Sequence, residues 1–333
     1  MPAATLSGAA SYPTHMPLWL SESDVRQALS MTDLIEAMQT ALAAFSAGEV
    51  IQPVRTALEF GPRSFFAVMP ACDPAENLVG AKLVTVVPDN AAKGLPSHQA
   101  IIALFDRQNG ELLALVDGRY ITEARTAAVS AVSARYLARE GANTLAIIGS
   151  GVQALSHREA LPHVRDLHEI RAWSPNSANA WRFAAGAREV QVTASAEDAV
   201  RGADIVVLAT SALTPVIRDE WVGPGTHVIG VGACRPNQRE MEGALLGRAK
   251  LVVDSRAAAL VESGDLLLAM GEGHLTPDCI YSELGEIAGG RKPGRQSTEE
   301  ITVFKSLGLA IEDVVSAGLA YRRALQLSLG RSM

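Results

Sequence analysis

The stretch Thr144-Leu145-Ala146-Ile147-Ile148-Gly149-Ser150-Gly151-Val152-Gln153-Ala154 constrains this chain most. A short run of β-branched and apolar residues ends in Gly-Ser-Gly, and a helix-compatible segment begins at once. That is the layout of a first strand, tight turn and first helix that bind a dinucleotide. Gly149 allows the turn, Gly151 lets the backbone approach a pyrophosphate, and Ala154 lets helix and strand pack closely. The helix N-terminus then aims unpaired N–H groups and a positive dipole end at the phosphates.

The flanking pattern supports the motif. After Thr144–Ile148, strands are expected at Glu169–Trp173, Val190–Thr193, Asp204–Ala209, Thr226–Val231 and Lys250–Val253, with helical segments between them. Six strands in this rhythm predict a doubly wound parallel sheet of the Rossmann type. Beyond Gly264 the chain reads as loop and helix, with Ile301–Phe304 extended and Leu307–Leu329 an apolar, Ala-rich helix. That helix has no strand left to serve and is expected to return to the N-terminal half.

The N-terminal half reads differently. Leu18–Leu20 suggests a short strand, Ser21 with Asp24 an N-cap pair, and Leu34, Ile35, Met38, Ala41, Leu42 and Phe45 a helix stopped by Gly48. Val54–Phe60, Ser64–Met69, Gly80–Val87, Ala100–Asp106 and Glu111–Asp117 are β-rich and separated by turn residues, which predicts an antiparallel sheet. Ile121–Arg139 predicts a long helix leading into the nucleotide strand.

Composition excludes several function classes. The chain has 333 residues and a formal charge of −7, with no Lys/Arg-dense stretch, which argues against a nucleic-acid partner. No apolar run approaches the roughly 18 residues that span a membrane. Cys72, Cys234 and Cys279 form neither a disulfide framework nor a metal-ligand spacing, so no metal is expected and a reducing, cytoplasmic setting is. The first 16 residues lack a signal-peptide pattern, and Pro13 with the small residues before it suggests a loose tail.

Four basic residues stand in positions that packing does not require: Arg55, Lys82, His98 and Arg125. A cation in a strand ordinarily faces solvent. Lys82 is harder to place there, because apolar residues surround it on both parities of Gly80–Val87. A buried cation needs an anionic partner, and a substrate carboxylate beside a nicotinamide would supply one.

These residues resemble the ornithine cyclodeaminase/mu-crystallin family. The pieces that carry the resemblance are Pro53-Val54-Arg55, the Lys82 strand followed by Gly94-Leu95-Pro96-Ser97, Thr122-Glu123-Ala124-Arg125-Thr126, Ile148–Ala154, Val252-Val253-Asp254-Ser255, Glu283–Ile287, Thr302–Ser306 and Ala310-Ile311-Glu312-Asp313. The resemblance implies an α/β fold with a discontinuous α+β substrate-binding and dimerisation domain, residues 1–124 with 308–333, around a Rossmann domain, residues 125–307. It implies a homodimer and an NAD(H) or NADP(H) cofactor. By the same resemblance, Arg55 and Lys82 correspond to the carboxylate contacts and the catalytic cations, with help from Arg125. Arg125 and Thr126 correspond to residues beside the nicotinamide and phosphates. Ser97, Gly149, Gly151, Val152, Gln153, Ala154, Ser174, Thr210 and the Val228–Val231 strand end, with Gly230 and Val231, correspond to cofactor contacts. Ser306 on the cofactor side and Leu307 on the substrate side correspond to the segment that closes over the nicotinamide.

Gly232-Ala233-Cys234-Arg235-Pro236 departs from the cyclodeaminase pattern, which resembles Gly-Gly-Asp-Cys-Pro and uses its Asp as acid/base. Cys234 at that position leaves no base to activate an amine for cyclisation. It resembles the ketimine-reductase branch, which reduces pyrroline- or piperideine-2-carboxylate. Cys234 is a small lining residue or a reactive thiol, and Arg235 a ligand contact or a structural ion pair. Ornithine cyclodeamination, alanine dehydrogenation and nucleotide-dependent ligand binding without catalysis are the alternatives. At the end of the second nucleotide strand Ser174 stands where an acid would hold the NAD ribose, which favours NADP(H) over NAD(H). No Arg adjoins it; Arg182 reaches in from the helix or lies in solvent.

Overall fold

The computed structural model describes residues 16–333, so the tail around Pro13 lies outside the described residues. Two sheets organise the chain. In chain order the first holds β1 (Leu18–Leu20), β2 (Thr56–Gly61), β3 (Ser64–Asp73), β4 (Leu78–Val86), β5 (His98–Asp106) and β6 (Leu112–Asp117). The second holds β7 (Thr144–Ile148), β8 (Glu169–Trp173), β9 (Val190–Val192), β10 (Ile205–Leu208), β11 (His227–Gly230), β12 (Lys250–Val253), β13 (Ile280–Glu283) and β14 (Thr302–Lys305), and β15 (Arg331–Ser332) returns to the first.

The second sheet is eight-stranded, in the order β13-β12-β14-β11-β10-β7-β8-β9, and every pairing is parallel. The central strands β7, β10, β11 and β14 are buried at every residue. A parallel sheet carries helices on both faces, so its strands read as continuous apolar runs rather than alternations. β7 pairs with β8 on one side and β10 on the other, and this reversal of strand order opens a crevice beyond Ile148 and Leu208.

Two expectations need correction here. The chain beyond Gly264 contributes an unexpected strand, β13, while the stretch expected to be extended at Ile301–Phe304 forms β14, which is inserted into the parallel sheet between β11 and β12. Thr302-Val303-Phe304-Lys305 ends in a lysine, so its burial shows only when Asp265 meets that lysine across the fold at 3.0 Å. The first sheet is mixed rather than antiparallel. β2 through β6 form antiparallel neighbours, but β1 runs parallel to β6, and β15 closes the edge against β1. Strand direction between segments so far apart is set by the packing of the intervening helices, which no local pattern encodes.

The first sheet alternates. Ala67, Met69 and Ala71 of β3, Lys82 and Val84 of β4, and Ile102 and Leu104 of β5 are buried on one face. The helix Ala310–Leu327 packs on β3, β4 and β5 from that side, so the last helix does return to the N-terminal half. The helix Gly118–Leu137 begins three residues before its expected start, capped by the Asp117 carboxylate, which accepts from the Arg119 N–H at 2.9 Å. It packs against β5, the helix Met31–Ser46 and the helix Val152–Ala160, and is buried nearly all round. Its Ala and Ser residues allow that close approach.

Candidate active site

The site is built at the crevice between the two sheets. On the parallel sheet, Gly149 has φ +128°, and a Cβ there would lie 2.4 Å from the Ala209 carbonyl oxygen. The turn is therefore closed onto the end of β10, and only glycine fits without displacement. Its N–H donates to the Trp173 carbonyl at 2.9 Å. Gly151 has open space around it and precedes the helix Val152–Ala160, whose first turn has no side-chain cap. Uncapped N–H groups facing open space fit a phosphate. Ala154 is fully buried, Val152 is half exposed, and Gln153 Nε2 donates to the Thr122 carbonyl at 3.5 Å. Thr126 is tied to the same carbonyl through its hydroxyl at 2.8 Å. Ser150 donates to Ser174 Oγ at 3.1 Å, which brings the end of β8 against the turn.

Beyond β10 and β11 lie Thr210 and the segment Gly230–Cys234. Val231 is buried, and the Cys234 thiol donates to its carbonyl at 3.2 Å. Burial pushes the Cys234 thiol up, so it is held neutral. Arg235 stacks on the Phe65 ring, 4.4 Å from its centroid, and donates to the Arg63 carbonyl at 2.9 Å. Among the described residues no carboxylate pairs with it, so its contacts do not include the ion pair considered for it.

On the mixed sheet, Met69 lies opposite Lys82, which lies opposite Ile102; Arg55 immediately precedes Thr56, the partner of Val68. This register brings Arg55 and Lys82 to one face, two strands apart. Lys82 is 2% exposed, and its partner is internal: Nζ lies 2.6 Å from Asp313 Oδ2. Thr122 Oγ1 accepts from Nζ at 3.5 Å. Asp313 also accepts from Arg125 Nε at 3.1 Å, and Glu312 accepts from Arg125 Nη1 at 2.6 Å. Burial lowers Lys82 to about 8 against the pull of Asp313. Burial likewise works to raise Asp313, but Arg125 and Lys82 outweigh it and hold the carboxyl below its usual range. Burial pushes Glu312 up to about 7 against Arg125. His98, at the start of β5, is driven down to about 4 by burial and by Lys82.

Arg55 Nη2 lies 3.0 Å from Glu262 Oε2 and donates to the carbonyls of Leu307 at 2.8 Å and Gly308 at 3.1 Å. The buried Asp254 carboxylate accepts from the N–H groups of Leu307 and Gly308, with Ser306 Oγ at 3.4 Å. The segment Ser306–Gly308 is thus fixed from both sheets, by Arg55 and by Asp254. A cavity of about 90 Å³ opens beside it, bordered by Arg55, Met69, Glu262 and Leu309.

The structure brings together Arg55, Lys82, Arg125, Thr126, Ser306 and Leu307 near the dinucleotide turn. Ser97 is exposed on the loop before β5, where its carbonyl accepts from the Val87 N–H, and it immediately precedes His98, which feels the charges of Lys82, Asp313 and Arg125. Sequence reasoning missed the carboxylates Asp313, Glu312, Glu262 and Asp254 as site groups. A signal existed: Glu312 and Asp313 are adjacent acids in the first turn of an otherwise apolar helix, and both are fully buried.

The sequence profile of the ornithine cyclodeaminase/mu-crystallin family matches residues 16–328. The chain belongs to this family. A rat protein named ketimine reductase mu-crystallin is 44% identical over 311 residues, covering 92% of this chain and 96% of its own. The structure of a Thermococcus litoralis Δ1-pyrroline-2-carboxylate reductase, in complex with NADH and L-proline, superposes with a TM-score of 0.93 at 38% identity, covering 95% of this chain and all of that one. An archaeal alanine dehydrogenase dimer with bound NAD superposes with a TM-score of 0.90 at 33% identity, covering 95% of this chain and 98% of that one. Both of these solved structures hold a nicotinamide dinucleotide, NADH in the first and NAD in the second, and among the described residues no helix is long and apolar enough to cross a membrane.

Proposed function

We propose that this chain reduces a cyclic ketimine carboxylate, pyrroline-2-carboxylate or piperideine-2-carboxylate, to L-proline or L-pipecolate. The observation that carries the reading is the pair of cations on one face of the mixed sheet, Arg55 and Lys82, opposite the dinucleotide turn. The similarity to a reductase holding NADH and L-proline fits the same substrate class.

Arg55 and Lys82 bind the substrate carboxylate, and Leu307 borders the ring. Arg125, engaged by Glu312 and Asp313, keeps Asp313 ionised and in place beneath Lys82. Bound NAD(P)H supplies the hydride. The imine reacts as its protonated form, so one proton and one hydride give the secondary amine without a strong acid in the protein. The buried, neutral Cys234 thiol offers no base for an amine, which separates this site from a cyclodeaminase. Rate enhancement rests on positioning and on the fixed charges of a site shielded from water.

Cofactor contacts are proposed at Gly149, Gly151, Val152, Gln153, Ala154, Thr126, Ser174, Thr210, Gly230, Val231 and Ser306. NADP(H) is proposed over NAD(H), because Ser174 presents a hydroxyl where a carboxylate would repel a 2′-phosphate. The outer face of the mixed sheet carries Leu58, Phe66, Val68, Val79 and Leu83, and Leu58 is 63% exposed. A second copy burying this apolar face makes the homodimer; the similar archaeal alanine dehydrogenase is a dimer. A division into residues 1–124 with 308–333 and residues 125–307, and a cytoplasmic location, complete the reading.

The test follows nicotinamide absorbance with each imine and each reduced cofactor, with ornithine and with pyruvate plus ammonia as controls. Oxidation of NADPH by either imine is expected. No turnover with either imine sinks the proposal, and turnover of pyruvate plus ammonia alone replaces it with alanine dehydrogenation.

A further inference from the structure

Glu240 is completely buried, and its carboxylate joins two loops. Oε1 accepts from the Thr210 N–H at 2.7 Å and the Thr210 hydroxyl at 2.8 Å. Oε2 accepts from the N–H groups of Gly232 at 2.8 Å and Ala233 at 3.0 Å. Thr210 follows β10, and Gly232 with Ala233 follows β11. The loops touch: a Cβ on Gly232 would lie 1.9 Å from the Thr210 carbonyl oxygen. Glu240 is itself held from behind, because its N–H donates to Asp265 Oδ1 at 2.8 Å, and Asp265 is paired with the buried Lys305.

Three of the four groups bonded to the carboxylate are backbone N–H donors and the fourth is a hydroxyl that can donate, so the ionised form satisfies all four, while burial pushes the carboxyl up. A buried anion with four donors and a cation one residue behind it is well satisfied. The carboxylate thereby bridges two loops that also meet through backbone, the Arg239 N–H donating to the Ala212 carbonyl at 3.1 Å. In a doubly wound sheet the adenosine half of a dinucleotide lies on the β8 side of the crevice, and the other half lies over β10 and β11.

We propose that Glu240 is a positioning residue that fixes the loops after β10 and β11, and so sets where the nicotinamide half of the cofactor lies. The inference rests on the dinucleotide site and is independent of which substrate accepts the hydride. Glu240→Gln replaces one acceptor oxygen by an amide NH2, which leaves at least one backbone N–H of a loop facing another donor. Glu240→Asp keeps the charge but is one methylene shorter and cannot reach both loops.

The experiment measures, by calorimetry on the full chain, binding of NADPH, NADH and the adenosine-half fragments ADP-ribose and 2′-phospho-ADP-ribose. Both variants are expected to bind the better dinucleotide at least tenfold more weakly than the parent protein, and to bind the matching fragment within twofold of it. A fold defect would weaken fragment and dinucleotide alike. If Glu240→Gln does not fold, Glu240→Asp decides. Unchanged dinucleotide affinity in the folded variants overturns the proposal, as does an equal loss for fragment and dinucleotide. The imine assay plays no part in this outcome, so failure of the ketimine reading leaves it standing.

Discussion

The two sheets meet at one site but contribute to it by different means. The central strands of the parallel sheet are buried on both faces and apolar in their middles, and the contacts proposed for the dinucleotide are backbone at the strand ends: the Gly149–Gly151 turn, Thr210 and the Gly230–Ala233 segment. The mixed sheet has one covered face and one bare face. Its alternation allows single charged side chains, Arg55 and Lys82, to stand in an apolar row under the helices. Backbone recognition tolerates many side chains but few backbone changes. Side-chain recognition is the reverse, and the variants below separate the two.

The largest effect is expected at the mixed sheet. Lys82→Met should lower kcat/KM for the imine by roughly 100- to 1,000-fold, the scale of about 3–4 kcal/mol when one member of a buried charge pair is removed. Dinucleotide affinity should stay within a few-fold, as calorimetry would report. A parallel collapse of cofactor binding would break the division of labour.

At the parallel sheet, Gly149→Ala places a methyl group 2.4 Å from the Ala209 carbonyl in a left-handed backbone. Dinucleotide affinity should fall roughly tenfold or more, because about 1–3 kcal/mol of strain is imposed on the phosphate turn. Fluorescence titration with the reduced cofactor checks it, and wild-type affinity would mean that the backbone there is not the phosphate site.

The pH dependence sharpens the same contrast. Burial lowers Lys82 from 10.5 to about 8. The ammonium that meets the carboxylate is therefore lost from the free protein as pH rises through about 8, and kcat/KM should fall towards tenfold per pH unit above it. The sign for stability is opposite. Because the folded pKa lies below the unfolded one, the unfolded chain binds more protons between about 8 and 10.5, and this group's contribution to stability rises with pH across that window. Activity and thermal-unfolding profiles measured together should diverge there; a Lys82→Met protein should lose the Lys82 part of both.

The smallest effect on catalysis is expected from the bare face. Leu83→Glu puts a charge on the outer side of β4, directly behind the row that holds Lys82. If the proposed homodimer buries this face, light scattering should report a shift from dimer to monomer, since an unpaired charge in an apolar interface costs several kcal/mol by general estimate. An unshifted dimer would locate the interface elsewhere.

Much of this was legible locally. The alternation of strands and helices after Thr144, the turn at Gly149 and the oddly placed Lys82 are short-range signals of periodicity, backbone freedom and burial. They lead to the doubly wound sheet and to a cation that needs a partner. The identity of that partner was not legible. The residues themselves pointed to a substrate carboxylate, whereas Lys82 is met first by Asp313. One strand of the parallel sheet was also obscured, because Ile280–Glu283 is a short edge strand with polar residues, and the extended stretch at Ile301–Phe304 gave no sign of its place between β11 and β12.

What the sequence by itself determined is therefore the type of most segments and the presence of a dinucleotide turn, since both arise from interactions among near neighbours. The tertiary structure alone decided the strand order that inserts β14, the parallel placement of β1, and the ion pairs that hold the site. Arg125 and Asp313 stand 188 positions apart. Nothing in either segment's own pattern specifies that contact. It exists because the helix Ala310–Leu327 must bury its apolar face on β3, β4 and β5, and that docking carries Asp313 to Lys82.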